Sequence, residues 1–79
     1  MNKYWRTMLK LTDSSGFKIF VNVQRAFLVK PARDLARHTD QYGRSVLDTI
    51  DGSILMFRKD FSVFVQETPD QIKRLLDEA

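Results

Sequence analysis

Apolar and polar residues alternate with period two through the first third of the chain. Trp5, Thr7, Leu9 and Leu11 fall on one side of a pleat, and Arg6, Met8 and Lys10 on the other. That pattern predicts a strand over about 4–12. Asp13-Ser14-Ser15-Gly16 reads as a turn, because Asp and Ser bond their own backbone and Gly supplies a positive φ. Phe17, Ile19, Val21 and Val23 then face one way while Lys18, Phe20 and Asn22 face the other. This is a second strand over about 17–23, and the pair forms a hairpin. A third strand is expected over about 26–30; Pro31 has no N–H for a ladder, so the strand stops there or lies on an edge. Residues 45–50 read as a fourth strand, Asp51-Gly52 as a two-residue hairpin turn, and 53–57 as a fifth strand. Phe61 to Gln66 is either a bulged continuation or a sixth strand.

The period changes after Glu67. Thr68-Pro69-Asp70-Gln71 matches a capping box, with Pro69 at the first helical position and Asp70 at the positive end of the dipole. Ile72, Leu75, Leu76 and Ala79 form one apolar stripe. A helix over 69–78 follows. Residues 31–44 fit neither period and are read as an inserted basic loop or a short helix begun by Pro31. The fold class expected is therefore α+β, mainly β. One domain over 1–79 holds a bent antiparallel sheet or small barrel of five or six strands, closed by one C-terminal helix. The expected core is Trp5, Leu9, Leu11, Phe17, Ile19, Val21, Leu28, Ile54, Phe57, Val63, Ile72, Leu75 and Leu76.

Composition narrows the chemistry. The 79 residues include no Cys, which removes disulfides, thiol catalysis and thiolate metal sites and fits a reducing, cytoplasmic setting. No apolar run approaches the ~20 residues of a membrane span, so no membrane insertion is expected. His38 is the only His; a general base, or a metal site with Asp34 and Asp40, is weighed against a solvated loop histidine, which is the plainer reading. Gly16, Gly43 and Gly52 are isolated and build no phosphate-cradling loop. No catalytic set, cofactor or metal is expected.

Charge and exposed apolar positions suggest partners instead. The net charge is +3, but nine of the thirteen Lys and Arg lie in residues 1–44. Lys30, Arg33, Arg37, His38 and Arg44 cluster along 30–44, and Arg6 and Lys10 share a strand face. With exposed aromatics these residues could bind RNA or single-stranded DNA by charge and stacking. Met8, Phe20 and Phe64 lie opposite the main apolar faces of their strands and are candidate interface residues for a protein partner or a homodimer. A non-catalytic accessory or regulatory protein is the first expectation, a nucleic-acid module the second.

The order of Leu9-x-Leu11-Thr12, a Ser-x-Gly turn, Ile19-x-Val21-Asn22, a strand ending in Lys30-Pro31, Asp51-Gly52-Ser53 and Val65-x-Glu67-Thr68-Pro69-x-x-Ile72 resembles the short FlbD-type flagellar and swarming-motility proteins and related small bacterial and phage proteins. The likeness covers most of 8–76, with residues 32–44 and Arg58 to Phe64 standing as additions. The Met8-Leu9-x-Leu11-Thr12 opening, with five strands and a terminal helix, is also similar to CsrA-type RNA-binding regulators. That likeness implies an intertwined dimer, with Lys73 and Arg74 as loose counterparts of the basic terminal segment.

Overall fold

The computed structural model describes residues 8–78. In chain order these form β1 (Met8–Thr12), β2 (Lys18–Asn22), a single 3-10 turn (Val23–Arg25), β3 (Leu28–Thr39), β4 (Ser45–Arg58), β5 (Phe61–Val65) and α1 (Pro69–Glu78). β1 and β2 make an antiparallel hairpin, and β3-β4-β5 make a separate antiparallel sheet. The protein is thus mainly β with one C-terminal helix. Its five strands fall into two sheets rather than one, and no closed barrel occurs among the described residues. Trp5 and Arg6 lie outside those residues.

Local chemistry explains the first turn and the helix start. The Asp13 carboxylate accepts from the N–H of Ser15 and of Phe17, each at 2.9 Å, and Gly16 takes φ +89°. The Gln71 side chain accepts from Thr68 N–H at 2.8 Å while the Thr68 hydroxyl accepts from Gln71 N–H at 3.2 Å. This is the reciprocal capping box, and it satisfies two backbone donors that the first turn would otherwise leave orphaned.

The region 31–44 is neither an inserted loop nor a short helix. β3 runs through Pro31 to Thr39, and the hairpin turn follows at Asp40 to Arg44. Arg37 N–H donates to Ser14 C=O at 2.7 Å, away from β4, so alternate residues of β3 direct their backbone groups to its outer edge. Pro31 shares that parity, and its missing N–H removes no ladder bond. The helix-compatible composition of 32–38 yields to a continuous twelve-residue pairing of β3 with β4.

The expected turn at Asp51-Gly52 is likewise absent. β4 is one fourteen-residue strand, and Gly52 does not have a positive φ. Glycine is required there because a Cβ would lie 2.1 Å from the Val65 carbonyl oxygen, where the end of β5 crosses. Phe61 to Val65 is a strand of its own, the fifth among the described residues.

The core gathers Leu9, Leu11, Val21, Val23, Leu55, Val65 and Ile72. Three expected core residues deviate. Phe17 is 71% exposed and Leu28 41% exposed, Ile54 is only half-buried, and Trp5 is outside the described residues. Leu28, Ile54, Met56 and Phe64 occupy the sheet face opposite Val29, Leu55 and Val63. Both parities of 54–57 are apolar, so alternation alone cannot choose between them.

Candidate functional site

β4 is longer than β5, so beyond Ser53 only β3 pairs with it. The result is a two-stranded arm, residues 32–39 and 45–51, joined by the turn at 40–44. The arm turns its sides over relative to the rest of the sheet. In the sheet proper the parity of Val29, Ser53 and Leu55 is buried; in the arm it is Ala36 that is buried, with His38 and Val46 half-buried beside it. Gly52 and Ser53, consecutive and both buried, mark the switch. A two-stranded ribbon twists more strongly than a wide sheet, which allows the change of face.

The other arm face carries Arg33, Leu35 and Arg37 on β3 across from Asp51, Thr49 and Leu47 on β4. All six are exposed, Leu35 and Leu47 by 58% each. Because Leu35 opposes Thr49 and Arg37 opposes Leu47, the two leucines are diagonal neighbours on one surface. The edges of this ribbon are blunted from within. The Asp34 carboxylate accepts from Leu35 N–H, and the Asp48 carboxylate from Thr49 N–H, each at 2.8 Å. Charged groups on an edge discourage edge-to-edge strand pairing. The arm's available surface is therefore its leucine face.

The sequence-derived basic residues fall mainly on this arm. Lys30 is exposed in β3, in the row of Ile54 and Phe64. Arg33 donates from Nε to Asp51 Oδ1 at 2.6 Å and from Nη2 to Oδ2 at 3.3 Å. That hydrogen bond, with the charge attraction, raises the Arg33 pKa and lowers that of Asp51. Arg44 pairs with Asp40 at 3.2 Å and stacks over the Tyr42 ring at 5.2 Å. Asp40 also accepts from the N–H of Tyr42 and of Arg44; the Arg44 N–H is the largest cause holding its carboxyl below the ordinary value, against an opposing effect of burial. Arg37 reaches Ser45 Oγ at 3.4 Å. His38 lies on the opposite arm face from Arg33 and Arg37.

The remaining candidates are dispersed. Lys10 and Phe20 oppose each other on the outer face of the β1–β2 hairpin, and Met8 shares that face opposite Asn22. Phe64 belongs to the other sheet, across from Ile54. Met8, Phe20 and Phe64 are thus not one strand face. Arg6 is outside the described residues.

Sequence reading missed a polar seam that ties the two sheets to the helix entrance. The Glu67 carboxylate accepts from Thr12 N–H at 2.9 and 3.1 Å and from the Thr12 hydroxyl at 2.9 Å. The fully buried Ser53 hydroxyl donates to Glu67 C=O at 2.7 Å, and Gln66 Nε2 donates to the carbonyls of Asp13 and Arg37 at 2.9 Å each. These side chains are committed to one another or to backbone carbonyls and act as structure. Only a Glu-Thr-Pro helix entry signalled them in the sequence, and their partners lie up to 55 residues away.

Two of the clefts among the described residues bear on the candidate residues. The larger, about 540 Å³, lies between Pro31, Ala32 and Gly52 and the Thr68-Pro69-Asp70 start of α1. The smaller, about 140 Å³, lies between the β1–β2 turn and the arm at Arg37, His38, Thr39 and Ser45. No group of three His, Asp or Glu among the described residues could hold a metal ion. No helix among them is long and apolar enough to cross a membrane. Comparison with protein-family models, curated proteins and solved structures finds no match.

Proposed function

We propose that this is a non-catalytic accessory or regulatory protein that acts through protein contacts made by the outer face of the β3–β4 arm. The observation that carries the reading is the exposed leucine pair, Leu35 and Leu47, bordered by Arg33, Arg37 and Asp51. An apolar centre with a charged border is the composition of a contact patch, and keeping it exposed costs solubility unless it is used. A second copy of the chain is the first partner to test. Nucleic acid, the other expectation, is less favoured because Arg33 and Arg44 are already paired with carboxylates.

The test is a double variant, Leu35→Ser with Leu47→Ser, at two exposed positions that leave the core untouched. Light scattering over a range of concentrations reads self-association, and cross-linking in lysate reads other protein partners. The wild-type chain should associate and the variant should not, with an unchanged melting temperature. A wild type that forms no complex, or a variant that keeps every complex, defeats the reading. Salt-sensitive binding of labelled single-stranded RNA would favour the nucleic-acid alternative.

A further inference from the structure

The leucine pair is too small to hold a partner by itself. A standard interface buries about 800 Å² on each side, and two half-exposed leucines with a charged border fall well short of that. A partner on this face must therefore reach along the arm in both directions. Toward the body the face runs into the larger cleft, because Asp51 belongs to both. Away from the body it ends at the arm turn, where Tyr42 is 73% exposed and Arg44 stacks at 5.2 Å from its ring.

The two ends are chemically complementary. The cleft, about 540 Å³, combines apolar Pro31, Ala32 and Pro69 with the carboxylates of Asp51 and Asp70. That volume lies in the range of roughly 300–1,000 Å³ that takes a whole small molecule, so a phenol ring and a guanidinium have room in it. Asp51 is paired with Arg33, but Asp70 makes no side-chain hydrogen bond or ion pair among the described residues. The turn offers an exposed aromatic ring and a guanidinium that uses only Nε in its bond to Asp40. Tyr and Arg are enriched among the side chains that anchor interfaces in pockets.

The spacing makes the molecule complementary to itself. Leu35 pairs with Thr49 and Leu47 with Arg37, so the leucines centre on the Ala36–Asp48 row. Four residues toward the body lies the Ala32–Gly52 row, which lines the cleft. Four residues the other way lies the Asp40–Arg44 row of the turn, closed by Asp40 N–H to Arg44 C=O at 2.9 Å. Both distances are about 13 Å, at about 3.3 Å per residue. A two-fold axis across the arm at the leucine centre sets two arms face to face and antiparallel. The same rotation carries each tip onto the other copy's cleft.

We infer that two copies of this chain pair through their arms, with Tyr42 and Arg44 of each tip seated in the cleft of the other and Arg44 beside Asp51 and Asp70. The inference rests on the leucine-face reading and adds to it the partner and the partner's site.

The test is a charge exchange between two variant chains, read by light scattering over a range of concentrations. Asp70→Arg puts like charges at both tip–cleft contacts of a self-pair, and so does Arg44→Glu. Each variant alone should associate about tenfold or more weakly than the wild type. An equimolar mixture should recover the association, because each cleft then meets a tip of opposite charge. Tyr42→Ser removes a ring that the single chain leaves in water. It should keep the melting temperature and weaken association by a similar factor; should either charge variant fail to fold by circular dichroism, Tyr42→Ser decides alone. Folded charge variants whose mixture shows no recovery, or a Tyr42→Ser chain that associates like the wild type, overturn the arm exchange. If Leu35→Ser with Leu47→Ser still abolishes association in that case, the leucine-face reading stands without it. A wild type that stays monomeric yet cross-links to another protein also overturns the exchange alone, and one that forms no complex defeats both.

Discussion

The two halves of the β3–β4 ribbon are built from the same strands and do opposite things. Near Leu55 the ribbon is one wall of a core, covered by the first hairpin and by Ile72 of α1. Beyond Gly52 it is a two-stranded arm with Ala36 buried on one side and Leu35 and Leu47 in water on the other. The base is held by apolar burial and cannot lose it without unfolding. The arm is held at its side by a few polar ties: Arg37 N–H to Ser14 C=O at 2.7 Å, and Gln66 Nε2 to Arg37 C=O at 2.9 Å. Contacts of that kind fail locally before the molecule fails globally. The part freest to meet a partner is therefore the part whose loss costs the fold least.

The sharpest way to break this contrast is to truncate one leucine in each half. Leu55→Ala empties a fully buried position and should cost about 2–5 kcal/mol. At about 0.05–0.15 kcal/mol per residue, a chain of 79 residues has roughly 4–12 kcal/mol in total, so this one change removes a large share. Leu47→Ala should stay within about 0.5 kcal/mol. Urea unfolding followed by circular dichroism compares them directly. Equal losses would mean that the arm is core and that the leucine face is covered.

This contrast was legible in the sequence only in part. Alternation at 9–11 and 17–23 located the first hairpin, and Thr68-Pro69-Asp70-Gln71 located the helix, because both signals are local. Phe17 was misplaced because it sits at the mouth of the turn, where the strand face no longer matters. The arm was hidden because Ala32, Leu35 and Ala36 suit a helix as well as a strand, and only pairing with β4 decides. Asp51-Gly52 misled most: a dipeptide that usually makes a turn was needed here for its missing Cβ, a demand set by Val65 thirteen positions on. The same limit hid Ser53, Gln66 and Glu67, whose roles come from chain segments far away in sequence.

A smaller effect is expected at the seat of the arm. Gly16→Ala places a Cβ against the Arg37 carbonyl at 2.8 Å and imposes a left-handed φ on an L side chain. The conformational part alone costs roughly 1–2 kcal/mol, and the turn can recover some of it only by leaving β3. The Arg37 amide should then lose protection from hydrogen exchange, together with its neighbours in 36–39, while Leu11 and Leu55 keep theirs. Loss of protection across both regions at once would show that turn, arm and core open as one unit.

The smallest effect lies at the arm tip, where electrostatics can be read alone. The Arg44 N–H, chiefly, and then the Tyr42 N–H and the Arg44 side chain hold the Asp40 carboxyl below its ordinary value of 3.8, against the opposing effect of its burial. A carboxylate with a lowered folded value stabilises the native state fully above its ordinary pKa and loses that contribution as the pH falls through the lowered one. The arm turn should accordingly be intact at pH 5 and above, and should loosen only in stronger acid. A carbon-detected titration of Asp40 should show a midpoint below 3.8, with the amides of Tyr42 and Arg44 moving in step and Leu11 and Leu55 still. In Asp40→Asn the acceptor oxygen remains but the charge is gone, so the acid step at the tip should vanish while the hairpin persists at neutral pH. A midpoint at or above the ordinary value would mean that the carboxylate does not hold the turn, and the tip would owe its shape to Gly43 and its φ of +79°.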